Sequence, residues 1–208
     1  MRADARRNQA LLLDAARDVF VERGPEAPLE EIARRAGVGI ATLYRHFIDR
    51  PTLIHALVLS ALTSTIEAAE QAQREHPDPF DALTAYVHAV LDVRTSAVIA
   101  TLLEVLDLDE PEVKSAREAS ARLADRLLAA ARDSGALRRD ATFGDVGIML
   151  VRLSRPLPGT IPLEVQSGLA HRHADVFLAG LRAEPSGGAL SGPGLDLADL
   201  QELRSGGS

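Results

Sequence analysis

The chain has 208 residues, 46% of them hydrophobic and 25% charged, with a formal net charge of −7. That length buries a real core in one large domain or two small ones. Cysteine is absent and aromatics are 3%, which excludes disulfides, thiolate metal centres, a cysteine nucleophile and a single-strand surface built from stacking rings.

No stretch approaches ~18 consecutive apolar residues, the length a membrane-spanning helix needs. The opening MRADARRNQALLLDAAR lacks the apolar run and small-residue cleavage site of a signal peptide. The expectation is a cytoplasmic protein with no membrane partner.

The hydrophobic spacing is helical throughout. Leu12, Ala15, Ala16, Val19 and Phe20 form one stripe, and Gly24-Pro25 stops that helix. Leu29, Ile32, Ala33 and Ala36 repeat the pattern up to Gly37, and Leu43 and Phe47 mark a third short helix. Asp49 caps a fourth, with Pro51 tolerated in its first turn, and the stripe from Leu53 to Ile66 carries it to about residue 75. Asp78-Pro79 starts a fifth, through Phe80, Leu83, Val87, Val90 and Leu91. Val98, Ile99, Leu102, Leu103 and Leu106 make a short sixth stripe, and Pro111 opens a long helix that ends before Gly135. Thr142 with Asp145 resembles a capping box ahead of the apolar Val146–Leu153 segment, which Pro156 and Pro158 break. A last helix covers about 162–182. No alternating strand and no internal repeat is visible, so the fold class is all-α, with about nine helices. Residues 184–208 hold six of the fifteen glycines and are expected to be largely disordered, although Leu197, Leu200 and Leu203 suit a short docking turn.

The informative string is LEEIARRAGVGIATLYRHF, from Leu29 to Phe47. Two short helices flank a tight turn at Gly37-Val38-Gly39, the pattern of a helix-turn-helix. Small Ala33 lets the helices approach, Gly37 supplies the left-handed turn residue, and Ile32, Ala36, Val38 and Leu43 fill the wedge. With Leu43 and Phe47 inward, 100° per residue sends Ala41, Thr42, Tyr44 and Arg45 outward. That face suits the major groove: arginine reads guanine bidentately, while Tyr, Thr and His46 bind phosphate oxygens. Arg50, at the start of the next helix, is a candidate phosphate ligand.

Residues 7–57 closely resemble the N-terminal domain of TetR-family transcriptional regulators, through LLLDAARDVFVERG, LEEIARRAGVGIATLYRHF and DRPTLIHAL. AGV-x-x-x-TLY-x-HF is the specific part. The resemblance implies a dimer that places its third helix in the major groove of a palindromic operator. By position it gives base edges to Ile40, Ala41, Thr42 and Arg45, and the DNA backbone to Thr42, Tyr44, His46 and Arg50. Gly39 replaces the family's usual Ser before the recognition helix, and Ala41 its usual Gly. Ile40 lies on the flank of the wheel, where it also meets the core.

The domains are then read as 1–50 for DNA binding, 51–183 for ligand binding and dimerisation, and 184–208 as a tail. The resemblance implies a homodimer paired through about 142–155 and 162–182. A cavity for a small apolar or amphipathic effector is expected among the helices between 53 and about 130. His88, Arg94, Thr101 and Glu104 are its candidate polar contacts. His88 and Asp92 share a face at i, i+4, a weak metal signal, and His171 and His173 diverge, so neither a metal nor a cofactor is expected. No nucleotide-binding or zinc-protease motif occurs, which argues against an enzyme. The expectation is a ligand-responsive repressor; the alternative is a small-molecule binding protein on the same fold that has lost its DNA affinity.

The charge balance divides in the same way. Residues 1–50 hold nine Arg against eight Asp and Glu, while residues 51–208 hold 14 basic against 22 acidic side chains. From Ile32 to Arg50 there are four Arg and one Asp, a local +3 at the reading head.

Overall fold

The computed structural model describes residues 2–102, 105–155, 161, 163–183 and 188–205. Among them are ten helices: α1 (Arg2–Arg23), α2 (Leu29–Arg35), α3 (Ile40–His46), α4 (Arg50–Glu75), α5 (Pro79–Val93), α6 (Thr95–Leu102), α7 (Pro111–Asp133), α8 (Phe143–Ser154), α9 (Leu163–Leu181) and α10 (Leu197–Ser205). The only extended pairing among the described residues is one antiparallel bridge, Leu137 with Arg182.

The helix starts are set by side chains that satisfy free N–H groups. Asp49 accepts from the Thr52 N–H at 2.8 Å and its hydroxyl at 2.6 Å, which opens α4. Asp78 accepts from the N–H groups of Phe80 and Asp81 at 2.9 Å, opening α5, and Glu110 accepts from Val113 at 2.9 Å, opening α7. Each start has a proline in its first turn, where no N–H is missed. At α8 the Asp145 carboxylate reaches back to the Thr142 N–H (2.7 Å) and hydroxyl (2.8 Å), the carboxylate half of a capping box.

Two cores result, and α4 belongs to both. The first joins Leu12, Phe20, Ile32, Leu43 and Phe47 to Leu53, Leu57 and Leu62 of α4, and takes in Ala97, Val98 and Leu102 of α6. The second joins Ala69 and Ala72 of α4 to α5, α7, α8 and α9. The boundary expected at residue 50 is therefore not a break in packing. The change of core falls inside α4, and α6 packs into the N-terminal core. By length and composition α4 would cross a membrane, but its apolar stripe from Leu53 to Ala72 is buried in these two cores.

The tail differs from expectation. Residues 188–205 are placed against the body, with α10 beside α8. The Leu190 N–H donates to Asp140 at 2.9 Å, and the Gly144 N–H donates to the Leu195 carbonyl at 2.8 Å. The glycines that suggested disorder instead permit contact. A Cβ on Gly194 would lie 2.3 Å from Thr142 Cγ2, and one on Gly144 would lie 2.6 Å from the Leu195 oxygen.

Candidate nucleic-acid interface

The turn between α2 and α3 is built by its backbone. Gly37 has φ +69° and donates to the Arg34 carbonyl at 3.2 Å, while Val38 donates to Ala33 at 3.0 Å. These are the two hydrogen bonds of a Schellman motif, with glycine in the left-handed position that an L side chain resists. The turn carries the chain from α2 into α3 with Leu43 fully buried and Phe47 nearly so. Ala41, Tyr44 and Arg45 are then exposed, and Thr42 and His46 are half-buried on the flanks. Tyr44 is 49% exposed. Ile40, expected at a base edge, is half-buried and packs against the first core.

The four arginines that gave the local +3 are held differently. Arg34 is bound by Glu31, at 2.7 Å for its shorter contact, and Arg35 by Glu22 through two bonds of 2.8 Å. The Arg35 fork and its charge hold the Glu22 carboxyl below the usual carboxylate range, and Arg34 does the same for Glu31. Arg50, read as a phosphate ligand, turns inward. Its Nη1 donates to the carbonyls of Pro25 (2.5 Å) and Ala27 (2.8 Å), and its guanidinium lies 6.0 Å from the Phe20 ring centre. It clasps the α1–α2 loop to the start of α4. Arg45 meets only the Thr42 hydroxyl, at 3.4 Å. Among the described residues it is the one of the four held by neither a carboxylate nor a carbonyl. Ile48, unremarked in the sequence, is 79% exposed in the turn after α3. Its signal was its place between buried Phe47 and the cap Asp49.

The candidate ligand residues are not gathered into one site. Thr101 is half-buried on α6, and Glu104 lies outside the described residues. His88 joins a network across α5 and α9. Its Nδ1 is 2.8 Å from His171 Nδ1, its Nε2 is 3.0 Å from Asp175, and His171 Nε2 is 3.0 Å from Asp92. The rings are nearly parallel (8°) with centres 5.1 Å apart, the separation of rings meeting end to end through their Nδ1 atoms. All three contacts are hydrogen bonds at once when the pair carries three ring protons, and so one positive charge between two carboxylates. The sequence signal was there twice, as His-x-x-x-Asp at 88–92 and at 171–175; the pairs cross between antiparallel helices.

Arg94 ends α5 with φ +55°, the one non-glycine at positive φ among the described residues, and reaches Asp18 of α1 at 3.3 Å. It lines a cavity of about 380 Å³ bounded by α1, α5, α8 and α9. That cavity is not among the helices of 53–130 alone, and its wall includes charged groups. Among the described residues, the one group with the donors for a metal ion is His55 with Glu110 and Glu112, whose nearest atoms lie within 4.8 Å of one another. Glu110 is already committed to capping α7, and its carboxyl is held low chiefly by the Val113 N–H and then by His55.

A two-helix unit with a glycine turn, a buried inner face and a Thr-Tyr-Arg outer face, joined to a larger helical body, defines a helix-turn-helix DNA-binding protein. Residues 12–57 match the family model for bacterial regulatory proteins of the tetR family, and residues 78–183 match that for the SbtR-like transcriptional regulator C-terminal domain. The chain is 34% identical over 155 residues to the HTH-type transcriptional activator FasR of Mycolicibacterium smegmatis, covering 71% of this chain and 69% of that one. A crystal structure of a TetR transcriptional regulator from Streptomyces coelicolor superposes with a TM-score of 0.61 at 30% identity, covering 84% of this chain and 98% of the other. One from Mycobacterium vanbaalenii gives 0.61 at 29%, covering 87% and 98%. The chain belongs to the TetR family of transcriptional regulators, DNA-binding proteins of the helix-turn-helix type.

Proposed function

We propose that the protein acts in the bacterial cytoplasm as a homodimeric, effector-responsive repressor that reads a palindromic operator with α3 of each subunit. The observation that carries this is the exposed face of α3, where Ala41, Tyr44 and Arg45 stand outward beside half-buried Thr42 and His46, while Leu43 and Phe47 lock the helix inward. Arg45 and Thr42 contact base edges, with Ala41 and the outer edge of Ile40 beside them. Tyr44 and His46 bind phosphates. Arg50 acts by fixing where α4 begins.

The dimer forms through α8 and α9. On α9, Val165 and Val176 lie three turns apart on one outward face, 50% and 68% exposed, and Ile148 on α8 is 40% exposed. Apolar side chains aligned in this way gain by pairing. Repression needs no surface beyond the reading heads, since a dimer on the operator competes with polymerase for the same DNA. An effector shifts the population towards dimers whose α3 helices no longer match successive major grooves.

The test is an electrophoretic shift with DNA upstream of its own gene, alongside a reporter driven by that DNA. A shift at low salt, with expression rising when the regulator is deleted, is expected. No shift on any genomic fragment overturns DNA binding; expression that falls on deletion makes the protein an activator, as its M. smegmatis relative is named.

A further inference from the structure

The cavity between α1, α5, α8 and α9 holds an imbalance of charge. Its wall carries Asp18 and Asp92 against Arg94, Arg152 and Arg155, with His171 beside them. Both carboxylates are already engaged, Asp18 by Arg94 at 3.3 Å and Asp92 by His171 at 3.0 Å. Among the described residues Arg152 and Arg155 have no ion pair, so the cavity offers guanidinium donors without acceptors. Guanidinium grips an oxyanion, planar or tetrahedral, through two N–H groups. The Arg94–Asp18 contact uses one nitrogen at a long distance, 3.3 Å, on a residue held in the left-handed region at φ +55°. That bond is poorly made and open to exchange. The rest of the wall includes Leu91, Leu153 and Leu169, which suit an apolar body. The volume, about 380 Å³, is that of a small organic ligand.

We propose that this cavity binds a small amphipathic organic anion, whose acid group takes Arg94 and Arg152 and displaces Asp18 from Arg94. Asp18 stands on α1, inside the DNA-binding half, so the exchange severs a direct tie between the cavity and the helix that packs beneath α2. Only this last consequence rests on the reading of the chain as an effector-responsive regulator.

The test uses the full chain and two fluorescent probes of matching shape: 1-anilinonaphthalene-8-sulfonate, an anion, and uncharged N-phenyl-1-naphthylamine. Each is titrated into the wild type and into Arg94→Gln, Arg152→Gln and Asp18→Asn. The sulfonate is expected to bind about tenfold more weakly to the two arginine variants, the loss of one charge-assisted contact. Asp18→Asn removes the competitor and is expected to bind it several-fold more tightly, roughly the value of one freed ion pair. The naphthylamine should bind all four proteins alike, which also shows that the cavity survives each substitution. Equal sulfonate affinity across the four proteins overturns the proposal, as does parallel loss of both probes or weaker binding by Asp18→Asn. No DNA is present in these titrations. A protein that shifts its operator yet shows no charge effect overturns the cavity assignment alone.

Discussion

The arginines near the recognition helix are held in different ways, and the partners decide what each can give to DNA. Arg45, with only the Thr42 hydroxyl beside it, is free to swing onto a guanine edge. Arg45→Ala should cost about 1–3 kcal/mol on the operator and relax its preference at one position. Thr42→Ala should change preference as well. Tyr44→Phe removes the hydroxyl proposed to bind phosphate and should weaken binding about fivefold on every sequence alike. Selection of bound sites with each variant measures this; unchanged preference in both Arg45→Ala and Thr42→Ala would sink the assignment of faces. Arg50→Ala belongs to another class. It strips two carbonyls of a charged donor, so it should lower folding stability by about 2 kcal/mol in chemical denaturation. The outward face of α3 was legible from the 100° rotation and the buried pair Leu43 and Phe47. The inward turn of Arg50 was not, because its acceptors are backbone carbonyls of a loop more than twenty residues earlier. The count of +3 misled for a similar reason: charge can be read along a chain, but Glu22 meets Arg35 only across α1 and α2.

At the scale of elements, the helix starts were the readable part. Asp49, Asp78 and Thr142 each accept or position the bonds that their sequence context implied, since a cap and its partner lie within three residues. What joins one helix to another was not readable, and the His88–His171 contact spans 83 residues. Carboxylates held low in the fold, two of them helix caps, contribute to its acid response. Glu22 is held below its usual range by Arg35, Asp49 by the Thr52 hydroxyl and N–H, and Glu110 by the Val113 N–H. A carboxyl lowered in the folded state adds stability that is full above its unfolded value of about 4 and is lost as pH falls through the folded value. Denaturation midpoints should therefore hold between pH 7 and about 5 and decline below about 4. In Glu22→Gln the decline should be shallower, with lower stability at pH 7; an unchanged acid slope would remove the Glu22–Arg35 pair from this account.

For the whole molecule, the charge count separated a nearly balanced first fifty residues from an acidic remainder. The placement of the two cores was not. A periodic stripe shows that α4 has a buried face from Leu53 to Ala72, but nothing in the stripe marks where one set of neighbours gives way to another. The outward valines of α9 carry the prediction at this scale. Val176→Glu should turn a dimer into a monomer at micromolar concentration, by light scattering, while thermal stability of the monomeric fold changes little, because this side chain is 68% exposed. A wild-type monomer under the same conditions would refute the use proposed for α8 and α9.

The contact between the tail and α8 has a consequence for how such chains vary. Gly144 and Gly194 are fifty positions apart, yet each leaves room for the other's segment: a methyl group at either would press on Leu195 or Thr142. Each is therefore a constraint only while the other segment is in place. A relative that lacks residues 188–205 has no reason to keep glycine at the position of Gly144, and alanine there would strengthen the first turn of its α8. Across an alignment the two glycines should disappear together, and a lineage that keeps one without the other should have moved its C-terminal segment elsewhere.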